Sequence, residues 1–334
     1  GWEQFGGSFK VNVPPTNGSM VAQGAPPAYI FVPGLQRTIT CQYSDANGYA
    51  DLAECRLLIN TVLSGANCIH LMYDANANLL YVRNNANTAW LGGYAPGSPY
   101  TISNSYVSLN CGATTVSGSD NTLTVNWRFE PKPTMSPRIC GAWMRVTDDA
   151  NATANWTEKA RYRFTYPPVD VSIAPASGTL TPGDVYAFTT VYSDADGFAD
   201  LTECRLLINT ALDGRNCINV LYNPGTQALY LRNDDNTAWL GGYAIGSLET
   251  IENSYCKLHC ETTTAAGDGN SLTVVWQIEP KPAFSGRACR SWLRCADSTG
   301  TYDGWDRLGA ITFNYTPVAG PLSPDTGELA PEEW

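Results

Sequence analysis

YSDANGYADLAECRLLINTVLSGANCI, residues 43–69, returns as YSDADGFADLTECRLLINTALDGRNCI, residues 192–218. Tyr43 to Tyr192 is a shift of 149 residues, and the match runs without a gap from about Cys41 to Tyr166. A self-match of this length is a duplication. NTAWLGGYA at residues 87–95 recurs unchanged at 236–244. Four tryptophans obey the same shift: Trp90 with Trp239, Trp127 with Trp276, Trp143 with Trp292 and Trp156 with Trp305. Large side chains at equivalent places imply equivalent packing.

Upstream the register changes. FKVNVPPTNGSM from Phe9 resembles VDVSIAPASGTL from Val169, so the first copy carries about eleven extra residues near 21–33. The expected organisation is an N-terminal extension (1–8), a first module (9–166), a stiff Pro167-Pro168 connection, a second module (169–317) and a Pro-rich acidic tail (318–334). A Pro-Pro pair favours a short extended linker that holds a fixed pose.

Within each copy the hydrophobic period is two. Leu123, Val125, Trp127 and Phe129 fall on one face of a strand, and Leu272, Val274, Trp276 and Ile278 repeat the pattern. Leu52, Cys55, Leu58 and Val62 also fit a helical face, but the short segment and its β surroundings favour a strand. Trp127, Trp143, Trp156 and their copies read as core anchors. Short strands between Gly, Asn and Pro turns predict an all-β protein of two tandem homologous β-sandwiches.

The chain has 334 residues, a net charge of −11 and a pI near 4.6, a balance that disfavours nucleic acid and anionic membrane surfaces. No apolar stretch is long enough to cross a membrane as a helix. Residues Gly1, Trp2 and Glu3 lack the charged and apolar regions of a signal peptide, so the chain is read as a mature product. Eleven cysteines without a metal-type spacing indicate an oxidising, extracellular setting. Cys55, Cys68, Cys111 and Cys140 correspond by the shift to Cys204, Cys217, Cys260 and Cys289, enough for two bridges per copy with three possible pairings. Cys256 and Cys295 stand where the first copy has Val107 and Val146, and read as a further bridge. Cys41 faces Thr190 and is left as a buried thiol or an intermolecular link.

DANGYAD from Asp45 and DADGFAD from Asp194 space oxygen ligands around a glycine as a Ca²⁺ loop does. The ligands would be Asp45, Asn47 and Asp51, with Asp194, Asp196 and Asp200. The bidentate Glu of an EF-hand is missing, and the same residues are ordinary turn formers. No catalytic role is expected. His70 and His259 face Asn219 and Asn110 under the shift, so neither belongs to a shared site. The CKLHC run at Cys256 lacks four converging zinc ligands, and Glu54 and Glu130 carry no sign of glycosidase chemistry. Trp90 and Trp239 are the candidates for stacking glycans. Sequons at Asn17, Asn151, Asn155 and Asn314 occur at the frequency chance would give.

The run YSDxDGxADLxxCRLLIN, then NCI, LYLRNDxxTAWLGG and NSYC, resembles loosely immunoglobulin-like β-sandwich repeats of large secreted and cell-surface bacterial proteins. The resemblance covers both copies and implies surface location and assembly rather than a reaction. The functional expectation is a non-catalytic subunit of a self-assembling extracellular filament or layer. Head-to-tail contacts would use Trp2, Phe5 and Trp334, large apolar groups on segments without a core. The alternative is a carbohydrate-binding or adhesive module pair.

Overall fold

A computed structural model describes residues 11–23 and 29–315. The chain divides into two compact units that part between Pro167 and Pro168, with 194–196 and 297–301 grouped with the first. Among the described residues the only helices are four 3-10 turns.

The first module contains thirteen strands: β1 (Thr16–Gln23), β2 (Ile30–Phe31), β3 (Arg37–Ser44), β4 (Leu52–Asn60), β5 (Ile69–Asp74), β6 (Leu79–Arg83), β7 (Trp90–Tyr94), β8 (Thr101–Ser103), β9 (Val107–Asn110), β10 (Thr115–Ser119), β11 (Thr122–Pro131), β12 (Arg138–Asp148) and β13 (Thr153–Phe164). The smaller sheet runs β1-β3-β11-β9-β8, with β10 also on β11, and the larger runs β2-β13-β12-β4-β5-β6-β7. The first described strand, β1, pairs antiparallel with β3, and the short β2 then adds parallel to β13 in the opposite sheet. That switch, with β4, β5 and β6 extending the β12–β13 sheet, is the strand order of a variable-type immunoglobulin sandwich. The second module repeats both sheets strand for strand.

The ambiguous segment is strand β4. Its alternation explains its nearly unbroken apolar run, because Cys55, Leu57 and Ile59 enter the sandwich core while Leu58 is buried on the sheet's other face with Cys68, Trp143 and Trp156. Both faces of this strand are covered, so the sequence loses its polar side. The same arrangement corrects the reading of the tryptophans. Trp127 and Trp276 are fully buried core anchors, whereas Trp143 and Trp292 lie in satellite clusters outside the main cores, packed by Trp156 and Trp305.

Two polar contacts tie the sandwich interior. The buried Tyr43 hydroxyl on β3 donates across the core to the Arg56 carbonyl on β4 at 3.0 Å, and Tyr192 repeats this with Arg205 at 2.8 Å. In the second module the Trp276 indole N–H donates to Thr190 Oγ1 at 2.9 Å. Its counterpart Trp127 has Cys41 in that position, so the thiol that lacks a counterpart cysteine occupies the acceptor's place beside the central indole. Sulfur is a weak acceptor. Replacing Thr190 by Val should therefore cost about 1–3 kcal/mol by leaving a buried donor unpaired, and Cys41→Thr should gain about 0.5–1.5 kcal/mol. Denaturant unfolding followed by tryptophan fluorescence reads both, and a neutral Thr190→Val would remove this account of Cys41.

Candidate binding site

The larger sheet turns a second, polar-aromatic surface away from the core. On β4 the outward residues include Arg56 and Leu58, on β5 His70 and Met72, and on β6 Tyr81 and Arg83. Register places Trp143 opposite Leu58, Leu58 opposite His70, and Arg83 opposite Trp90. Trp90 carries two guanidiniums on its ring, Arg56 at 5.3 Å and Arg83 at 4.8 Å from the centroid. Trp239 carries Arg205 at 5.0 Å and Arg232 at 4.6 Å. Such contacts add to the area the indole already buries.

The NTAW loop supplies the geometry. Asn87 adopts a left-handed backbone, and its side chain and carbonyl accept from Arg83 Nε and Nη2 at 2.8 and 2.9 Å. Asn236 accepts from Arg232 Nε at 2.7 Å in the same way. Across from Asn87 in the first module, Asn60 folds the 61–68 loop by donating to the Ser64 and Ala66 carbonyls. Gly65 then lies so close to Asn87 that an added Cβ would sit 2.5 Å from its Oδ1, which accounts for glycine there. Between the two loops is a cavity of about 520 Å³, lined by Arg56, His70, Arg83, Trp90 and Trp156 among others. His70, 5% exposed, sits edge-on to Trp90 at 4.9 Å and to Trp156 at 5.4 Å. Burial, reinforced by Arg56, Arg83 and Arg145, holds its pKa down at about 3, so the ring is neutral at ordinary pH. Sequence reading selected Trp90 and Trp239 but missed their arginines. The available signal was the survival of Arg56 and Arg83 as Arg205 and Arg232 under the shift, in a chain with 20 Lys and Arg.

The acidic loops assemble differently from their linear spacing. Asp45, Asp51 and Asp148 are buried and bring one carboxylate oxygen each within 4.8 Å of one another. Asp148, from β12, takes the third place, while Asn47 turns away to accept from Val13 N at 2.8 Å and donate to the Val11 carbonyl at 2.9 Å. The shift carries this trio onto Asp194, Asp200 and Asp297, all buried. Asp196 repeats the Asn47 turn through its backbone, donating to Asp194 Oδ1 at 2.8 Å.

All eleven cysteines are buried, and none is bridged. Burial pushes Cys68 up to about 12 with Cys140 adding to the effect, and Cys217 is raised likewise with Cys289 among its neighbours. Cys204 adds to the raising of Cys295 and Cys217 to that of Cys256, and neither Cys256 nor Cys295 acts on the other. Cys55 is raised by burial and then by Cys41. Cys111 and Cys260 are also raised by burial, with no second cysteine contributing. Asn151, Asn155 and Asn314 are exposed, whereas Asn17 is half-buried and donates to the Asn155 carbonyl at 2.9 Å. Trp2, Phe5 and Trp334 lie outside the described residues.

In the second module Asp170 is 5% exposed and shares a cluster with Asp303 and Asp306. Burial raises its pKa from 3.8 to about 7, the Cys295 thiol opposing and Asp303 and Asp306 adding. The folded protein thus holds a proton that the unfolded chain releases, so this group's effect on stability turns unfavourable as pH climbs from 3.8 to about 7. Asp170→Asn should raise the unfolding temperature above pH 7 and leave it unchanged below 3.8. Thermal unfolding across that range checks the sign, which is reversed if Asp170 is held ionised.

No protein-family model matches the chain, and no curated protein matches it. Among solved structures, a marsupial T cell receptor aligns over 92% of this chain and 74% of its own, at 12% identity and a TM-score of 0.36. So loose a likeness carries no functional argument, and the immunoglobulin-like assignment rests on the strand order.

Proposed function

We propose that the chain is a non-catalytic extracellular protein whose two sandwiches are structural modules of a self-assembling surface filament or layer. The observation that carries this reading is where the duplicated tryptophans are used. Trp127 and Trp276 fasten the cores, Trp143 and Trp292 fasten satellite clusters outside them, and Trp90 and Trp239 are covered by arginines. Aromatic residues retained in both copies therefore serve rigidity, which suits a module that must keep its shape in an assembly. Committed ring faces also speak against Trp90 and Trp239 as open platforms for sugar stacking.

Each larger sheet ends on a short strand, β7 in the first module and Trp239–Ala244 in the second. Leu91 and Tyr94 are exposed on β7, and an edge that pairs with no further strand among the described residues can accept a strand from another molecule. The terminal segments that bear Trp2, Phe5 and Trp334 are the proposed partners in head-to-tail contact. Negative-stain electron microscopy and sedimentation of the purified chain should reveal ordered fibres or sheets, lost on removal of 318–334. A particle that stays monodisperse at every concentration would count against assembly.

The extracellular placement carries two further expectations. Cys68 with Cys140 and Cys217 with Cys289 form bridges in the secreted protein, each worth about 2–4 kcal/mol. Peptide mapping without reductant tests them, and eleven freely alkylated thiols in protein from its native source would contradict the location. Calcium at Asp45, Asp51 and Asp148 relieves the mutual repulsion of three buried carboxylates. Calcium in the millimolar range should then raise the unfolding temperature, and Asp51→Asn should blunt that response. A second reading, adhesion through a small ligand, is favoured by the cavity over His70.

A further inference from the structure

We propose that the core cysteine kept in both modules closes a disulfide with a different partner in each: Cys55 with Cys41 across the sandwich in the first, and Cys204 with Cys295 across the strand ladder in the second. Which sulfurs meet is a property of the modules themselves. Only the occurrence of the bridges in the native protein rests on the extracellular reading.

The duplication supplies the first argument. Cys55 and Cys204 correspond under the shift, and two core positions around them have been exchanged: the first module has Cys41 and Val146 where the second has Thr190 and Cys295. Each copy thus keeps one partner for the shared cysteine, drawn from a different strand. All six side chains are 0% exposed.

Register places the pair in the second module. Cys55 on β4 lies directly opposite Val146 on β12. Their counterparts Cys204 and Cys295 stand on the neighbouring strands Leu201–Asn209 and Arg287–Asp297. There Glu203 and Arg294, the residues just before each cysteine, meet diagonally at 3.3 Å. Directly opposed residues of antiparallel strands have Cα atoms about 4.5–5.5 Å apart. A disulfide spans roughly 4.4–6.8 Å.

In the first module the partner comes from the opposite sheet. Strand β3 turns Ile39, Cys41 and Tyr43 into the core that receives Cys55, Leu57 and Ile59 from β4. The Tyr43 hydroxyl, donating to the carbonyl of Arg56 at 3.0 Å, ties the two strands together at this level. Burial and then both Cys41 and Cys55 push that hydroxyl's pKa up, and Cys55 is itself raised by burial and then by Cys41. Tyr192 is raised by burial, with Cys204 and Cys295 among the groups that add to it. The same tyrosine therefore marks where the sulfurs gather in both copies. A bridge between Cys256 and Cys295 gives way to this pairing, since neither acts on the other. With Cys68–Cys140 and Cys217–Cys289 bridged as well, Cys111, Cys256 and Cys260 remain as thiols.

Each closure oxidises two thiols. Two S–H bonds are lost and one S–S bond forms, while two electrons and two protons pass to a small disulfide such as oxidised glutathione, which becomes two thiols. Because the four sulfurs are fully buried once the module is folded, the exchange takes place during folding.

Refolding the reduced, denatured full chain in a glutathione buffer tests the pairing and supplies its own oxidant. Cleavage at both aspartate and arginine separates the four cysteines. Mass spectrometry without reductant should then recover Cys41 linked to Cys55 and Cys204 linked to Cys295. The double substitution Thr190→Cys with Cys295→Val gives the second module the first module's arrangement, and should move the Cys204 bridge to the cysteine introduced at position 190. Cys41→Thr should raise the unfolding temperature of the reduced chain, through Trp127, and lower that of the oxidised chain by about 5 °C. Free alkylation of Cys41 or Cys295 in the refolded protein, or a link from Cys295 to Cys256, overturns the pairing. A folded double variant in which Cys204 stays a thiol overturns the exchange of partners, and a Cys41→Thr shift of the same sign in both redox states overturns the bridge across the sandwich. Bridges recovered on refolding but missing from protein of the native source would count against the extracellular reading and leave the pairing standing.

Discussion

The bond from the Tyr43 hydroxyl to the Arg56 carbonyl joins the inside of this protein to its outside. Tyr43 is fully buried on one sheet, and its partner lies in the backbone of the other. A hydroxyl in the core must find an acceptor there or carry a penalty of about 1–3 kcal/mol, which fixes how the sheets face each other. The residue whose carbonyl is held inside sends its guanidinium outward onto Trp90. Core packing and the surface ladder are thus set by one residue, and the second module repeats the link through Tyr192, Arg205 and Trp239.

From that constraint the larger sheet gains two packed faces. Leu57 and Ile59 face the main core while Leu58 meets Cys68 and Trp143 on the opposite side. A sheet covered on both faces by its own side chains is stiff, and the loops at its rim inherit that stiffness through Asn60 and Asn87. The cavity over His70 is bounded by side chains that are hydrogen-bonded or packed against one another.

Duplication gives an internal control. Where both modules keep a residue, it fastens structure: the core indole, the inter-sheet tyrosine, the stacked arginines and the buried aspartates. Where they differ, a local reason is visible. Thr190 gives Trp276 a strong acceptor and Cys41 gives Trp127 a weak one. His70 and Asn219 both lie buried beneath a cavity, and each leaves an atom without a partner. Buried apolar positions record the divergence as well: Ile39 and Phe129 of the first core stand as Phe188 and Ile278 in the second.

The sequence by itself determined the duplication, the all-β class and the inward face of strands such as β11, because these depend on local periodicity and on repetition along the chain. It also marked Trp90, Trp239 and the acidic loops as places worth attention. Only the tertiary structure decided that Trp143 and Trp156 belong outside the main core, since a strand covered on both faces loses the alternation that would have revealed it. Only it brought Asp148, some hundred residues away, to Asp45 and Asp51 in place of Asn47. The arginines on Trp90 and the histidine beneath them come together from β4, β5, β6 and β7, and that meeting is set by sheet register, which no one-dimensional spacing encodes.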